Sequence, residues 1–291
     1  MEIVKRRTIG EVFYGFYRLS HPIPVLFHTV AVTIFVLVAA WPRLSWGVIA
    51  LVIAAHVAMQ LSIAILNDYC DRCLDTLSKK NKPIPLGLVL PREALLAGLL
   101  MIALMVLLLL LLPPLALLVS CIYLVLGQGY NLGLKSTPLS GIVFALAIPL
   151  IPLYAFLGVG HLLPVILWLV PVAALLGVGI NLANSLSDIE EDAANGARTL
   201  AVVLGVRGVY FTCPLLIIFS IILISTLTFT RVVPAQTFLV LTTLIVTGLI
   251  ALGLLVLSRP KTLIQAGKRY FYVVVLTCLI LAIGWLTGVL I

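Results

Sequence analysis

The sequence predicts an all-α polytopic membrane protein: nine transmembrane helices in one bundle, with the N-terminus cytoplasmic. Three observations predict it. Of 291 residues, 63% are hydrophobic and only 10% charged, with a mean hydropathy of +1.28, a composition that no soluble core absorbs. The apolar residues fall in runs of about 20, the length that crosses a bilayer. The charges between those runs are segregated by side.

The spans are expected, in order, at 22–41, 45–66, 92–112, 114–133, 138–158, 164–186, 206–230, 234–257 and 270–291. Pro113-Pro114, Thr137-Pro138 and Pro234 mark tight breaks between spans. Pro149, Pro152 and Pro171 fall inside spans and are expected to kink them, with neighbouring helices satisfying the freed carbonyls. The N-terminal Lys5, Arg6 and Arg7 precede an apolar run long enough to remain as a first span, so no cleavable signal peptide is expected. If there are nine spans, alternate connections lie on opposite sides. Every lysine and arginine except Arg43 and Arg231 then falls on the side of the N-terminus, and all ten acidic residues do too. The lysine- and arginine-rich side is cytoplasmic by the positive-inside rule. Tyr14, Phe16 and Tyr17 before the first span, and Tyr270, Phe271 and Tyr272 at the start of the last, are expected to form interfacial belts. The net charge of +8 is thereby absorbed by topology. No basic stripe or soluble domain is left for nucleic acid, and no obligate protein partner is evident. The domain reading is a single transmembrane domain over 1–291, in two loosely repeated halves of about 18–136 and 137–291.

Seven of the ten acidic residues lie in two short segments. One runs from Asn67 to Asp75 and holds Asp68, Asp71 and Asp75; the other runs from Asn184 to Asp192 and holds Asp188, Glu190, Glu191 and Asp192. Carboxylates this close repel, and without a cation one would take up a proton. If the second span continues as helix, Asn67, Asp71 and Asp75 share a stripe with Asp68 beside it. If the sixth continues, Asn181, Asn184, Asp188 and Asp192 share another. Oxygen donors at this density suit Mg²⁺, which leaves positions open for substrate phosphates. A solvated loop would mix acids with Ser, Gly and Lys at irregular spacing. Glu190 and Glu191 fall off the stripe and read as solvated or helix-capping. Basic residues follow each segment: Lys79, Lys80 and Lys82, then Arg198 and Arg207, with Lys135 in the third cytoplasmic connection. They read either as topology residues or as contacts for phosphate oxygens.

A diphosphate held beside an apolar bundle points to a lipid substrate, whose allylic carbocation an apolar cavity shields from water. Two other readings compete. An ion-coupled transporter would place its acids near mid-membrane on broken helices, whereas these lie at the membrane edge. A non-catalytic isoprenoid-lipid-binding protein would bind diphosphate without releasing it. Cys70 and Cys73 form a C-x-x-C with no second pair, so no zinc site follows. The four histidines follow no ligand spacing and are assigned no role.

These residues resemble the UbiA-type integral-membrane prenyltransferases. Asn67–Asp75 matches that family's N-D-x-x-D-x-x-x-D, and Asn81-Lys82-Pro83-Ile84-Pro85-Leu86-Gly87 is similar to its N-[RK]-P-[IL]-P-x-G. Asp188–Asp192 matches its D-x-x-x-D, and Gly196 to Gly205 looks like its G-x-x-T-L-A-V-x-L-G tail. Tyr130 and Lys135 resemble its Tyr…Lys signature. The resemblance implies a bundle around a central cavity, and Mg²⁺-dependent transfer of a polyprenyl group from a polyprenyl diphosphate to a small or lipid-like acceptor, with two Mg²⁺ ions expected. By that carry-over Asn67, Asp68, Asp71, Asp75, Asn184, Asp188 and Asp192 form the metal set, with Asp71, Asp75, Asp188 and Asp192 catalytic. Lys82, Lys135, Arg198 and Tyr130 meet the diphosphate end. The first motif lacks the insertion of the menaquinone branch, and Ala197 stands where many members carry Lys. The acceptor is therefore open among aromatic rings, tetrapyrrole acids, glycerol phosphates and other lipid precursors. One branch transfers phosphoribose to a polyprenyl phosphate instead.

Overall fold

The computed structural model describes residues 7–257 and 260–290, with side chains for 7–256 and 267–290. Lys5 and Arg6 of the basic N-terminal group, and Ile291 at the end of the ninth expected span, lie outside it. The α-helices, in order, are α1 (Ile9–Leu19), α2 (Pro22–Ala40), α3 (Trp46–Ser78), α4 (Pro91–Leu109), α5 (Pro114–Asn131), α6 (Ser140–Ala147), α7 (Leu150–Gly158), α8 (Val165–Ser185), α9 (Ile189–Ala194), α10 (Leu200–Phe229), α11 (Thr237–Leu257) and α12 (Pro260–Leu290). Two short 3₁₀ turns, Leu134–Ser136 and Leu186–Asp188, complete the list, and no strand occurs among the described residues.

Nine described segments are long and apolar enough to span a membrane, close to the expected limits, with α6 and α7 forming one span and α8 with α9 another. Pro149 separates α6 from α7, as expected of a residue that cannot donate to the helix ladder. Pro171 stays inside α8. The seventh span begins earlier than its hydropathy suggests. The turn from Leu200 precedes a kink at Gly205, whose φ of 68° is open to glycine. α1 precedes the first span and is closed by a Thr8–Glu11 capping box. Ile9, Phe13, Tyr14 and Tyr17 are exposed on it while Leu19 is buried, the pattern of a helix lying in a membrane interface. Tyr270, in α12, is only 4% exposed and packs within the protein.

The described residues form two compact units: one of 7–132 with Tyr154–His161, the other of Gly133–Leu153 with the described residues from Leu162 onward. In the first, α3 packs against α1, α2, α4 and α5. A cluster of Leu19, Ile65, Ile84, Val89 and Ala94 ties the end of α1, α3, the loop before α4 and the start of α4 together. This unit also carries a polar layer inside its spans. His56 stacks on Tyr154 with ring centroids 5.6 Å apart, Gln60 Nε2 lies 3.3 Å from His56 Nε2, and the Tyr154 hydroxyl donates to the Val52 carbonyl at 2.7 Å. In the second unit α8 packs against α6, α10 and α12. Helices in lipid gain little from expelling water, so close approach at small residues carries the packing. Gly177 sits so near α6 that a Cβ there would lie 2.5 Å from the Phe144 carbonyl oxygen.

Candidate functional site

The first acidic segment rides on α3, which runs unbroken past the apolar limit at residue 66 to Ser78. One helix can therefore carry both a membrane span and the polar extension that ends it. Asp68 and Asp75 are seven residues apart, two helical turns, and share a face. They are 2% and 3% exposed. Lys82 spans them: its Nζ lies 2.9 Å from Asp68 Oδ1 and 2.8 Å from Asp75 Oδ2. The helix continues, so Asn67, Asp71 and Asp75 share a stripe with Asp68 beside it, and Asp68 and Asp75 are its buried carboxylates while Asp71 is half-buried. Burial opposes the Lys82 charge, but the two carboxylates outweigh it and hold the ammonium above its ordinary pKa. The lysine stays charged throughout the neutral range.

The loop that delivers Lys82 is built tightly. Its N–H donates to the Lys79 carbonyl, its own carbonyl accepts from Leu86, and the Leu88 N–H returns to Pro83, each at 3.0 Å. Ile84 plugs into the apolar cluster below. Gly87 turns the chain at φ 68°, open space for a residue without Cβ. From α1, Arg18 donates to the Asn81 carbonyl at 2.6 Å, and just before α1 Arg7 makes a two-toothed pair with Glu93 at 2.7 and 2.9 Å. The Asn81–Gly87 motif is therefore a structural clasp as well as a source of charge.

One further residue joins this site without any signal in the sequence. His21 Nε2 lies 3.1 Å from Asp68 Oδ1. His21 adopts left-handed backbone angles, φ 45° and ψ 63°, immediately before Pro22. That conformation costs a non-glycine residue on the order of 1–3 kcal/mol. Asp68 thus has two cationic or donor partners, Lys82 and His21, from opposite directions in the chain.

The second segment departs from the single stripe expected of it. α8 stops at Ser185 and a 3₁₀ turn, Leu186–Asp188, precedes α9. The tighter turn rotates the residues after it out of register with those before it. Asn181 is fully buried and Asn184 exposed, although they lie one turn apart on α8. Asn181 Oδ1 instead receives the Ser140 hydroxyl at 3.3 Å. Asp188 and Asp192 are half-buried, and Glu190, Glu191 and Asp192 occupy the first turn of α9, where the helix dipole favours acids. α12 reaches this turn at Gly267, where a Cβ would lie 3.1 Å from the Ser187 Cα. Lys135 and Arg198, far apart in sequence, are brought alongside by their backbones: the Arg198 N–H donates to the Ser136 carbonyl at 2.9 Å. Arg198 is exposed, and Lys135 and Tyr130 are half-buried.

Asn67, Asp68, Asp71 and Asp75 offer the hard oxygen donors that Mg²⁺ takes, and Asp68 and Asp75 already converge on one cation, the Lys82 ammonium. The donors fit Mg²⁺ in kind. Among the described residues no three His, Cys, Asp or Glu side chains are gathered for a metal ion as they stand. Cys70 and Cys73 are free thiols.

Comparison with known proteins fits this chemistry. The digeranylgeranylglyceryl phosphate synthase of Natronomonas pharaonis is 34% identical over 145 residues, 49% of this chain and 52% of the relative, so the chain spans about half of that protein's length. The 4-hydroxybenzoate octaprenyltransferase of Nitrosomonas europaea is 28% identical over 213 residues, 67% of this chain and 70% of the relative. A solved UbiA homologue from Archaeoglobus fulgidus, bound to GPP and Mg²⁺, superposes with a TM-score of 0.69 at 16% identity, covering 92% of this chain and 99% of that one. At that identity the likeness is one of fold. The profile of the UbiA prenyltransferase family matches residues 25–275, and with so much of the chain covered, this protein belongs to the UbiA prenyltransferase family.

Proposed function

We propose that the protein transfers a polyprenyl group from its diphosphate to an acceptor at the membrane, with Mg²⁺ and both acidic segments. The observation that carries the reading is the end of α3: two buried carboxylates and a lysine at the edge of an apolar span. Asn67, Asp68, Asp71 and Asp75 would hold Mg²⁺ from one segment, and Asn184, Asp188 and Asp192 from the other. Mg²⁺, when bound, draws negative charge onto the leaving diphosphate and so eases its departure. The C1–O bond of the allylic donor breaks, and its electron pair leaves with the diphosphate. Lys82, Lys135 and Arg198 hold phosphate oxygens through charge-assisted hydrogen bonds. The surrounding apolar helices keep water from the allylic cation, and Tyr130 offers it a ring face. The acceptor's nucleophilic atom bonds to C1 and gives its proton to water or to the released diphosphate.

The lysine and arginine asymmetry supports a cytoplasmic N-terminus and a site facing the cytoplasm. The names of the relatives suggest the acceptors to try first: a prenylated glyceryl phosphate, then 4-hydroxybenzoate. The purified protein in liposomes is incubated with Mg²⁺, geranylgeranyl or octaprenyl diphosphate, and each acceptor, and the lipids are analysed by mass spectrometry. A prenylated product that EDTA abolishes is expected. Diphosphate left intact with every donor and acceptor would refute the reading.

A further inference from the structure

The Lys82 ammonium lies between Asp68 and Asp75, two of the carboxylates that would hold Mg²⁺ in the proposed function. It is 2.9 and 2.8 Å from one oxygen of each carboxylate, and both acids are almost wholly buried, leaving little room for a second cation to join. Asp68 is also engaged by His21 on the same oxygen, Oδ1. Two buried carboxylates with no cation would be costly, and the chain supplies one of its own. The lysine sits on a loop, not on α3, and is joined to it by a long flexible stem.

We propose that Lys82 is a built-in place-holder cation, which keeps free divalent metal out of the resting site and moves onto the diphosphate when metal and diphosphate arrive together. The proposal rests on the diphosphate-and-metal reading above and adds an order to it. A lone divalent ion faces a site whose charge is already compensated, and entering would leave the lysine buried beside a second cation. A metal–diphosphate complex brings its own anionic oxygens. Lys82 exchanges two carboxylates for those oxygens and remains paired throughout. The clasp formed by Ile84, Pro83 and Gly87 stays in place, since the exchange needs only side-chain rotation about the lysine stem. One residue then serves the site twice, as occupant and as substrate contact.

The test is metal binding without turnover, with Mn²⁺ as the probe for Mg²⁺ and electron paramagnetic resonance as the readout on the full-length protein in detergent. Wild type is expected to bind Mn²⁺ weakly alone and at least tenfold more tightly with inorganic diphosphate present. Lys82→Met is expected to bind Mn²⁺ alone at least tenfold more tightly than wild type, and to gain more in melting temperature from Mn²⁺. Lys82→Arg, which keeps the charge, should behave as wild type in the absence of diphosphate. Equal Mn²⁺ affinity in wild type and Lys82→Met would overturn the proposal. Should Lys82→Met fail to fold, wild type alone decides: tight Mn²⁺ binding that diphosphate does not improve overturns it as well. Release of diphosphate from a prenyl diphosphate is measured separately, so an inactive protein with the expected Mn²⁺ behaviour would refute the transfer reaction and leave the place-holder standing.

Discussion

Asp68, Asp75 and Lys82 form a three-membered charge group in which the lysine is the common partner. Its acids are at most 4% exposed and its lysine 20%, so removing the lysine leaves an uncompensated buried pair, a loss on the order of 3–5 kcal/mol. Lys82→Met is therefore expected to melt at a clearly lower temperature than wild type in metal-free detergent. An unchanged melting curve would mean that the carboxylates find another partner. If Asp68 holds Mg²⁺ as proposed, His21 would act through it as a positioning residue. Loss of such a supporting contact typically weakens metal use about 10–100-fold. His21→Ala should raise the Mg²⁺ concentration needed for half-maximal rate by about tenfold, with His21→Gln recovering part of it. A Mg²⁺ dependence identical to wild type would exclude that role. The spacing of the acids was readable because residues on one helix are related by a fixed rotation. His21 was not, since its contact closes 47 residues of chain and depends on a left-handed turn that no residue pattern around His21 demands. The pairing of Lys82 with two acids was hidden for a similar reason: a loop, not a helix, sets its position.

At the level of elements, the apolar runs located the spans well because a bilayer sets their length. They failed at places where polarity does not report geometry. α3 and α8 both carry acids beyond their apolar limits, yet α3 runs on as helix while α8 breaks into a 3₁₀ turn. One difference between them is packing: α12 presses on that turn at Gly267, with Ser187 at near-contact distance. Gly267→Leu should therefore displace the Leu186–Asp188 turn and lower turnover. Limited proteolysis near Asp192 gives a second readout, and an unaltered pattern with full activity would contradict the packing account. Gly177 offers a cleaner stability test. Alanine normally favours a helix interior by about 1 kcal/mol over glycine. Here its Cβ would meet the rigid Phe144 carbonyl at 2.5 Å, and overpacking costs about 1–3 kcal/mol. Gly177→Ala is expected to lower the melting temperature, and a rise would show that α6 yields easily.

For the whole molecule, the charge asymmetry is the broadest claim the sequence supports, since only Arg43 and Arg231 fall on the sparse side. It predicts which ends of the helices face the cytoplasm. Cys73 is an exposed native thiol at the acidic end of α3. It should react with a membrane-impermeant maleimide in inverted vesicles and be protected in right-side-out ones. An Arg231→Cys variant should show the opposite sidedness, and labelling of both from one face would break the nine-span alternation. The proposed transfer reaction would depend on both acidic segments. The most direct measurement is release of diphosphate from a labelled prenyl diphosphate in Mg²⁺-containing liposomes, for wild type, Asp71→Asn and Asp188→Asn. Losses of about 10²-fold or more are expected in each variant, the usual scale for removing one charge-stabilising group. Undiminished release from both variants would contradict it.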